Sequence, residues 1–339
     1  MMKSGLSKIA LCLVLVIIAG CKSKQTGPID EGDTSAVIES AEQVQQRQQQ
    51  ELADAQAVSD AGDLDTALGM FRDILAENPT LTLAYVGIGD VYIKKKDYKS
   101  AEPVFARAAR LEPRNFSAQF GHGIALKMLK RFVEAVQAFY RALTIEPADF
   151  EANMLMATTR LEMGEPQGAL LFAEKAVEID PASGPARVSL GAAYELTGRN
   201  ADAIIQYESA IELMDATAPL LLNYINVLAK EKRYTDAKNT AEFLIRIEPS
   251  ANAYERLGWA HFRLSEFDKS INAYRQAVKL DPKHWPSLNG VGCNALNTWL
   301  LSKKRDKQAM KEARDAFRTS LRTNPKQPAV IKLLTDYRL

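Results

Sequence analysis

"RAARLEP" (residues 107–113) returns in altered form as "RALTIEP" (141–147) and "KAVEIDP" (175–181), and this recurrence decides how the chain is read. Prolines fall at 79, 113, 147, 181, 249, 282 and 325. The first three intervals are 34 residues, the step from 181 to 249 is twice 34 with Asp215 at its midpoint, and the next is 33. A chain of 339 residues would otherwise divide into two or three ordinary domains. A fixed period makes it an array of one supersecondary unit.

Inside each unit, small residues and rings recur at fixed distances before the proline: Ala67 with Phe71, Ala101 with Phe105, Ala135 with Phe139, Ala203 with Tyr207. An earlier set pairs Gly89 with Tyr92, Gly123 with Leu126, Gly191 with Tyr194 and Gly258 with His261. Apolar residues three and four apart, as in Leu83, Val86, Ile88 and Val91 and then Ala101, Val104, Phe105 and Ala108, define two amphipathic helices per unit. Glycine or alanine at the helix crossing lets the backbones approach while a ring fills the space beside them. The closing proline cannot continue the preceding helix and fixes the turn into the next. One helix pair cannot bury both of its faces, so the units must stack.

This pattern of small residues, rings and closing prolines resembles the tetratricopeptide repeat family over roughly residues 48–325. The resemblance implies an all-α fold: a right-handed α-solenoid of about eight helix-turn-helix units, closing at 79, 113, 147, 181, 215, 249, 282 and 325. Three departures stand out: Ser270 where alanine is usual, Ala173 in place of the fourth ring, and "LSKKRDKQAM" (301–310) inserted before the second helix of the last unit. "QPAVIKLLTDYRL" (327–339) reads as a C-terminal capping helix.

The N-terminus carries a different signal. Lys3 and Lys8 precede an apolar run from Ile9 to Ala19, too short to span a bilayer but suited to a signal peptide. Ile18-Ala19-Gly20-Cys21 resembles the lipobox of bacterial lipoproteins, in which the cysteine thiol takes a diacylglycerol and the new amino group is acylated. Residues 1–20 are then a signal peptide, and 21–34 a lipidated Cys21 followed by a tether rich in Gly, Pro and small polar residues. The solenoid occupies 35–339, beginning with one long helix rich in Ala, Glu and Gln. Lys22, rather than an aspartate that retains some lipoproteins in the inner membrane, favours the outer membrane, with the solenoid in the periplasm.

Charge excludes some functions. Lys and Arg number 43 against 42 Asp and Glu, no surplus for nucleic-acid binding. Of three cysteines, Cys12 lies in the signal peptide and Cys21 is the lipid carrier, so Cys293 is left alone and no internal disulfide forms. His122, His261 and His284 fall one to a unit, which reads as packing or surface rather than metal. "GVGCNA" (290–295) is a loose dinucleotide pattern lacking the preceding strand it requires, and Cys293 has no base beside it in sequence. No cofactor, metal, catalytic residue or small-molecule substrate is expected. Lysine-rich helix ends such as "KKKDYK" (94–99) complement helix dipoles, and with the acidic residues before each closing proline they read either as solvated turns or as a basic and an acidic edge.

By the same resemblance, the first helix of each unit lines the concave face, and its fifth positions are Val86, Phe120, Met154, Val188, Leu222, Glu255 and Asn289. Ile124, Leu161, Trp259 and Phe262 extend the apolar surface, and Asn223, Asn226 and Asn252 supply amides able to grip a peptide backbone. No lysine occupies the fifth row, so the lysine and asparagine clamp that some family members use on C-terminal carboxylates is missing. The expected function is a membrane-anchored adaptor lipoprotein that binds a protein segment in this groove, in cell-envelope assembly such as pilus or secretion-system biogenesis. The alternative is a peptidoglycan or glycan binder, or a recruiter of cell-wall hydrolases, with Phe120, Trp259 and Phe262 as stacking platforms.

Overall fold

The computed structural model describes residues 41–339 and divides the chain into a unit of Met1–Arg47 and a unit of Gln48–Leu339. Signal peptide, Cys21, tether and residues 35–40 lie outside the described residues. In the first unit the chain is helical from Ala41, the start of α1 (Ala41–Asp60). In the second unit every regular element among the described residues is a helix. With α1 completing the first pair, α2 (Leu64–Glu77), the pairs are α3 (Thr82–Lys94) with α4 (Tyr98–Leu111), α5 (Phe116–Met128) with α6 (Phe132–Ile145), and α7 (Phe150–Glu162) with α8 (Pro166–Ile179). They continue as α9 (Gly184–Leu196) with α10 (Asn200–Leu213), α11 (Ala218–Lys230) with α12 (Tyr234–Ile247), and α13 (Ala251–Arg263) with α14 (Phe267–Leu280). The eighth pair is α15 (Trp285–Leu301) and α16 (Lys307–Thr323), followed by α17 (Pro328–Asp336). Each helix from α2 onward packs on the next, giving the stacked solenoid that the repeat requires.

Local chemistry sets both turns of a unit. Asn115, Asp149, Ser183, Thr217 and Ser250 each accept a backbone N–H three residues on and so start a first helix. Between first and second helices, one residue in each of the first seven units enters the left-handed region, Gly62, Lys96, Lys130, Gly164, Gly198, Lys232 and Ser265, and in the eighth both Lys303 and Lys304 do. In the first seven units its N–H returns to a carbonyl three residues back, as from Lys130 to Lys127 at 2.9 Å, which satisfies one of the last carbonyls of the helix.

The ring of each second helix explains the glycines. A Cβ on Gly89 would lie 2.6 Å from Phe105 Cε2. One on Gly121, in the next unit, would lie 2.7 Å from Phe105 Cδ1 and nearer still to its outer carbons. Phe105 is thus clamped between two units with no exposed surface. Gly123 with Phe139, Gly191 with Tyr207, Gly258 with Tyr274 and Gly292 with Phe317 repeat the fit within a unit. Where the ring is missing, so is the glycine: Ala173 faces a unit with Ala157 at that position. The sixth unit, a departure invisible in the proline spacing, has Ala241 with Ile225, and all four side chains are buried.

Two expected irregularities resolve differently from a simple insertion or defect. Only residues 302–306 of the stretch 301–310 form the connecting turn: both helices of the eighth unit lengthen to 17 residues, and α16 starts at Lys307. Ser270 is fully buried and donates to the Gly258 carbonyl at 2.8 Å, so the hydroxyl that replaces a methyl is satisfied inside the core. The capping helix α17 brings Val330 onto the end of the core beside Phe317, and Tyr337 meets Trp299 edge-on at 6.5 Å.

Candidate protein-binding groove

First helices of successive units touch one another, α3 with α5, α5 with α7, α7 with α9, α9 with α11 and α13 with α15, while second helices pack chiefly on first helices. The first helices therefore crowd along the inner side. Two rows of side chains share that face because they lie four residues apart on each helix. The fifth-position row is Val86, Phe120, Met154, Val188, Leu222, Glu255 and Asn289; the ninth is Asp90, Ile124, Thr158, Ala192, Asn226, Trp259 and Cys293.

Four consecutive units present half-buried apolar residues in the fifth row: Phe120, Met154, Val188 and Leu222. Val86 is a correction to the expected lining. It is only 8 % exposed and joins the core around Phe105 and Ala118, so it contributes packing and little open surface. Phe120 stacks on Phe116 with ring centres 5.4 Å apart, and Ile124 lies beside it on the same core cluster. Asn223 and Asn226 are half-buried and engage in no side-chain hydrogen bond among the described residues, leaving both amides for a ligand. Asn252 differs: its Oδ1 accepts from His284 Nε2 at 2.9 Å, leaving only its NH2 group. Trp259 meets Tyr234 edge-on at 5.7 Å and carries the Arg263 guanidinium 5.9 Å from its ring, and Phe262 meets Phe267 edge-on at 5.5 Å.

A carboxylate opens the ninth-position row at Asp90, and another stands one unit before the end of the fifth-position row at Glu255. Burial raises the Asp90 carboxyl to about 6 against the pull of nearby Lys94, with Asp60 adding a smaller upward push. Burial also pushes Glu255 above the usual carboxylate range, opposed by Arg256. At the C-terminal end the groove deepens into a pocket of about 360 Å³ between α13, α14 and α15, with Trp259, Phe262, Tyr274 and Trp285 among its walls. Cys293 lines it too, but burial pushes its thiol up, away from the thiolate that nucleophilic chemistry needs.

The lysine-rich edge is largely spent on neighbouring units. Lys94 donates to Asp60 at 2.7 Å, Lys95 to Asp65 at 2.6 Å, and Lys230 to Glu195 at 2.8 Å, while Lys127 reaches forward to Glu162 at 2.9 Å. These are inter-unit ties at solvent-facing turns, each of small energy. His122 lies 3.4 Å from Glu102, and His261 lies 2.5 Å from Glu266; among the described residues no three metal-ligating side chains come together. No helix among the described residues is long and apolar enough to cross a membrane.

Sequence reasoning missed an apolar outer surface. Leu171, Val133, Tyr140 and Ile205, all on second helices, are 55–68 % exposed, and a shallow pocket of about 350 Å³ opens beside Tyr140, Leu143, Leu171 and Phe172. The signal was present in the second helices as apolar residues off the core-facing positions.

The sequence pattern of the tetratricopeptide repeat family matches residues 52–110, 86–150, 154–219 and 251–284. These matches cover more than half of the chain and coincide with the helix pairs above, so the protein belongs to the tetratricopeptide repeat family, whose stacked units form interaction surfaces. No curated protein matches the chain. Among solved structures, PilF of Pseudomonas aeruginosa is similar at 18 % identity, with 62 % of this chain and 96 % of that one covered and a TM-score of 0.54. A tetratricopeptide repeat protein from Parabacteroides merdae is similar at 15 % identity, covering 74 % of this chain and 99 % of that one at a TM-score of 0.50. The Cut9–Hcn1 hetero-tetramer of APC/C offers a third likeness, at 18 % identity, 80 % and 52 % coverage and a TM-score of 0.50. At these identities the likeness concerns the fold.

Proposed function

We propose that the protein is a non-enzymatic adaptor of the bacterial cell envelope, tethered by an acylated Cys21 to a membrane, the outer one favoured, and holding a partner's polypeptide segment in its groove from the periplasmic side. The observation that carries this reading is the run of half-buried apolar residues Phe120, Met154, Val188 and Leu222 along one face of four successive first helices, adjoined by the unbonded amides of Asn223 and Asn226. An extended segment needs both: apolar steps for its side chains and amides for its backbone. The lipobox at Ile18–Cys21 supports the anchor, since several acyl chains hold a protein where one does not. Assembly of a pilus or secretion system is the specific role that best suits a tethered scaffold of this kind.

Glycan stacking has less support. Phe120, Trp259 and Phe262 already engage Phe116, Tyr234 with Arg263, and Phe267, so their faces are not open platforms. A photocrosslinking residue at position 120 or 222 in living cells, with exposed Gln137 on α6 as control, tests the groove. A discrete protein adduct from 120 or 222 is expected; labelling no stronger than from 137 would discard the groove. Cys21→Ala should move the chain from the membrane to the soluble fraction and abolish fatty-acid incorporation.

A further inference from the structure

The pocket at the C-terminal end of the groove has a composition unlike the apolar run that leads to it. Its polar lining sets a carboxylate and two unpartnered amide oxygens beside a single cation, Arg263. Glu255, with a side chain 15 % exposed, has its one ion-pair partner among the described residues in Arg256, whose Nε lies at a long 3.4 Å, and no side chain hydrogen-bonds the carboxylate. Asn289 Oδ1 and Asn294 Oδ1 are buried without partners.

The orientations of both amides are fixed by their surroundings. Asn294 Nδ2 donates to the Gly290 carbonyl at 2.9 Å and to Ser270 Oγ at 3.1 Å, so turning it over would set oxygen against oxygen. Asn289 Nδ2 donates to Gln327 Oε1 at 2.7 Å, and Gln327 is itself held because its Nε2 donates to the Asn324 carbonyl at 2.7 Å and to Ser320. Both oxygens are therefore the ends left over. Trp259 and Tyr274 stand around them as apolar walls, and Trp285, 40 % exposed, adds a ring whose face attracts cations.

A carboxylate, two unused carbonyl oxygens and aromatic walls call for a ligand that carries positive charge and N–H donors. Arg263 already places a guanidinium against Trp259, but it is tied to the Tyr234 hydroxyl and makes no ion pair with Glu255. We infer that the pocket between α13 and α15 receives a lysine or arginine side chain of the polypeptide lying in the groove, with Glu255 as its counter-charge and Asn289 and Asn294 as acceptors. The inference rests on the groove reading for the delivery of that side chain. It adds a specificity: the bound segment runs apolar along Phe120 to Leu222 and ends in a basic residue beside Glu255.

The test uses probes that need no partner. N-acetyl-arginine methylamide and N-acetyl-lysine methylamide are titrated into the full chain in detergent, against their neutral counterparts N-acetyl-citrulline methylamide and N-acetyl-norleucine methylamide. Tryptophan emission reports binding, since Trp259 and Trp285 line the pocket. The cationic probes should bind at least about tenfold more tightly than the neutral ones, a charge-assisted bond's worth. Glu255→Gln should erase that preference while circular dichroism shows the helices intact. Equal binding of neutral and cationic probes, or a preference that survives Glu255→Gln, would overturn the inference and leave crosslinking from 120 and 222 untouched. Cation binding that depends on Glu255, together with failed crosslinking, would keep the pocket and remove the groove.

Discussion

The clamped ring between units makes a sharp contrast available at two glycines. Gly69 and Gly121 both lie inside helices, and alanine is favoured over glycine there by about 1 kcal/mol. No heavy atom lies within 4 Å of a Cβ built on Gly69, so Gly69→Ala should stabilise the protein by roughly that amount. At Gly121 the same methyl would press into the Phe105 ring, which is fully buried and backed on its other side by Gly89, where a Cβ would again be only 2.6 Å away. The ring cannot retreat, and overpacking of this kind costs about 1–3 kcal/mol. Gly121→Ala should therefore lose about 1 kcal/mol net, and the two variants should differ by about 2 kcal/mol. Urea unfolding followed by far-UV circular dichroism measures both, with an unchanged denaturant slope required before midpoints are compared. Adding Phe105→Leu to Gly121→Ala should cost less than the sum of the single changes, because the smaller side chain relieves the clash. If Gly121→Ala stabilises as much as Gly69→Ala, the ring is not clamped and the account of inter-unit packing is wrong.

Further outcomes follow from the turns and the groove. Lys130 sits at φ 61° in the left-handed region, so Lys130→Gly should stabilise by about 1 kcal/mol in the same urea assay; a loss would mean that the lysine side chain outweighs its backbone strain. Asp90, raised by burial to about 6 from an ordinary 3.8, holds its proton more tightly folded than unfolded, so stability falls as pH rises from about 4 through about 6, by roughly 3 kcal/mol in all. Asp90→Asn should remove that decline, gaining near pH 8 and changing little near pH 4; parallel pH profiles for the two proteins would contradict it. In the groove, Leu222→Asp should abolish adduct formation from position 120 without lowering the stability read by urea unfolding by more than about 1 kcal/mol, since Leu222 is half-buried.

The fold was legible because its physics repeats. Prolines at 113, 147 and 181 and the pairing of Gly89, Gly123, Gly191 and Gly258 with rings sixteen residues later are visible in the letters alone. The left-handed turn residues were harder to see. Gly62, Gly164 and Gly198 show the period, but Lys96, Lys130 and Lys232 occupy the same place, and their charge drew attention to the helix dipole instead. The sixth unit's substitution of Ala241 and Ile225 for a ring and a glycine conserves volume without conserving type, so it left no mark on the pattern. The start of α16 at Lys307 was legible only through Asp306, whose side chain accepts the Ala309 N–H as a local cap, and that signal was passed over in favour of an insertion. The pocket was only half legible: Trp259 and Phe262 stood out as apolar lining, but Glu255 and Asn289 looked like the end of the apolar row. Only packing brings Glu255 of α13 together with Tyr274 of α14 and with Asn289 and Asn294 of α15.

The two joints that lack a ring also have a mechanical meaning. Phe105 and Tyr274 each lock a pair of neighbouring units through glycines on both sides, which resists any rotation of one unit against the next. At Ala173 and Ala241 a methyl replaces that key, and between those joints lie Val188 and Leu222. The angle between units at those two joints is therefore set by the apolar cluster that runs unbroken from Ala157 to Ala253, by many small surfaces in place of one keyed ring.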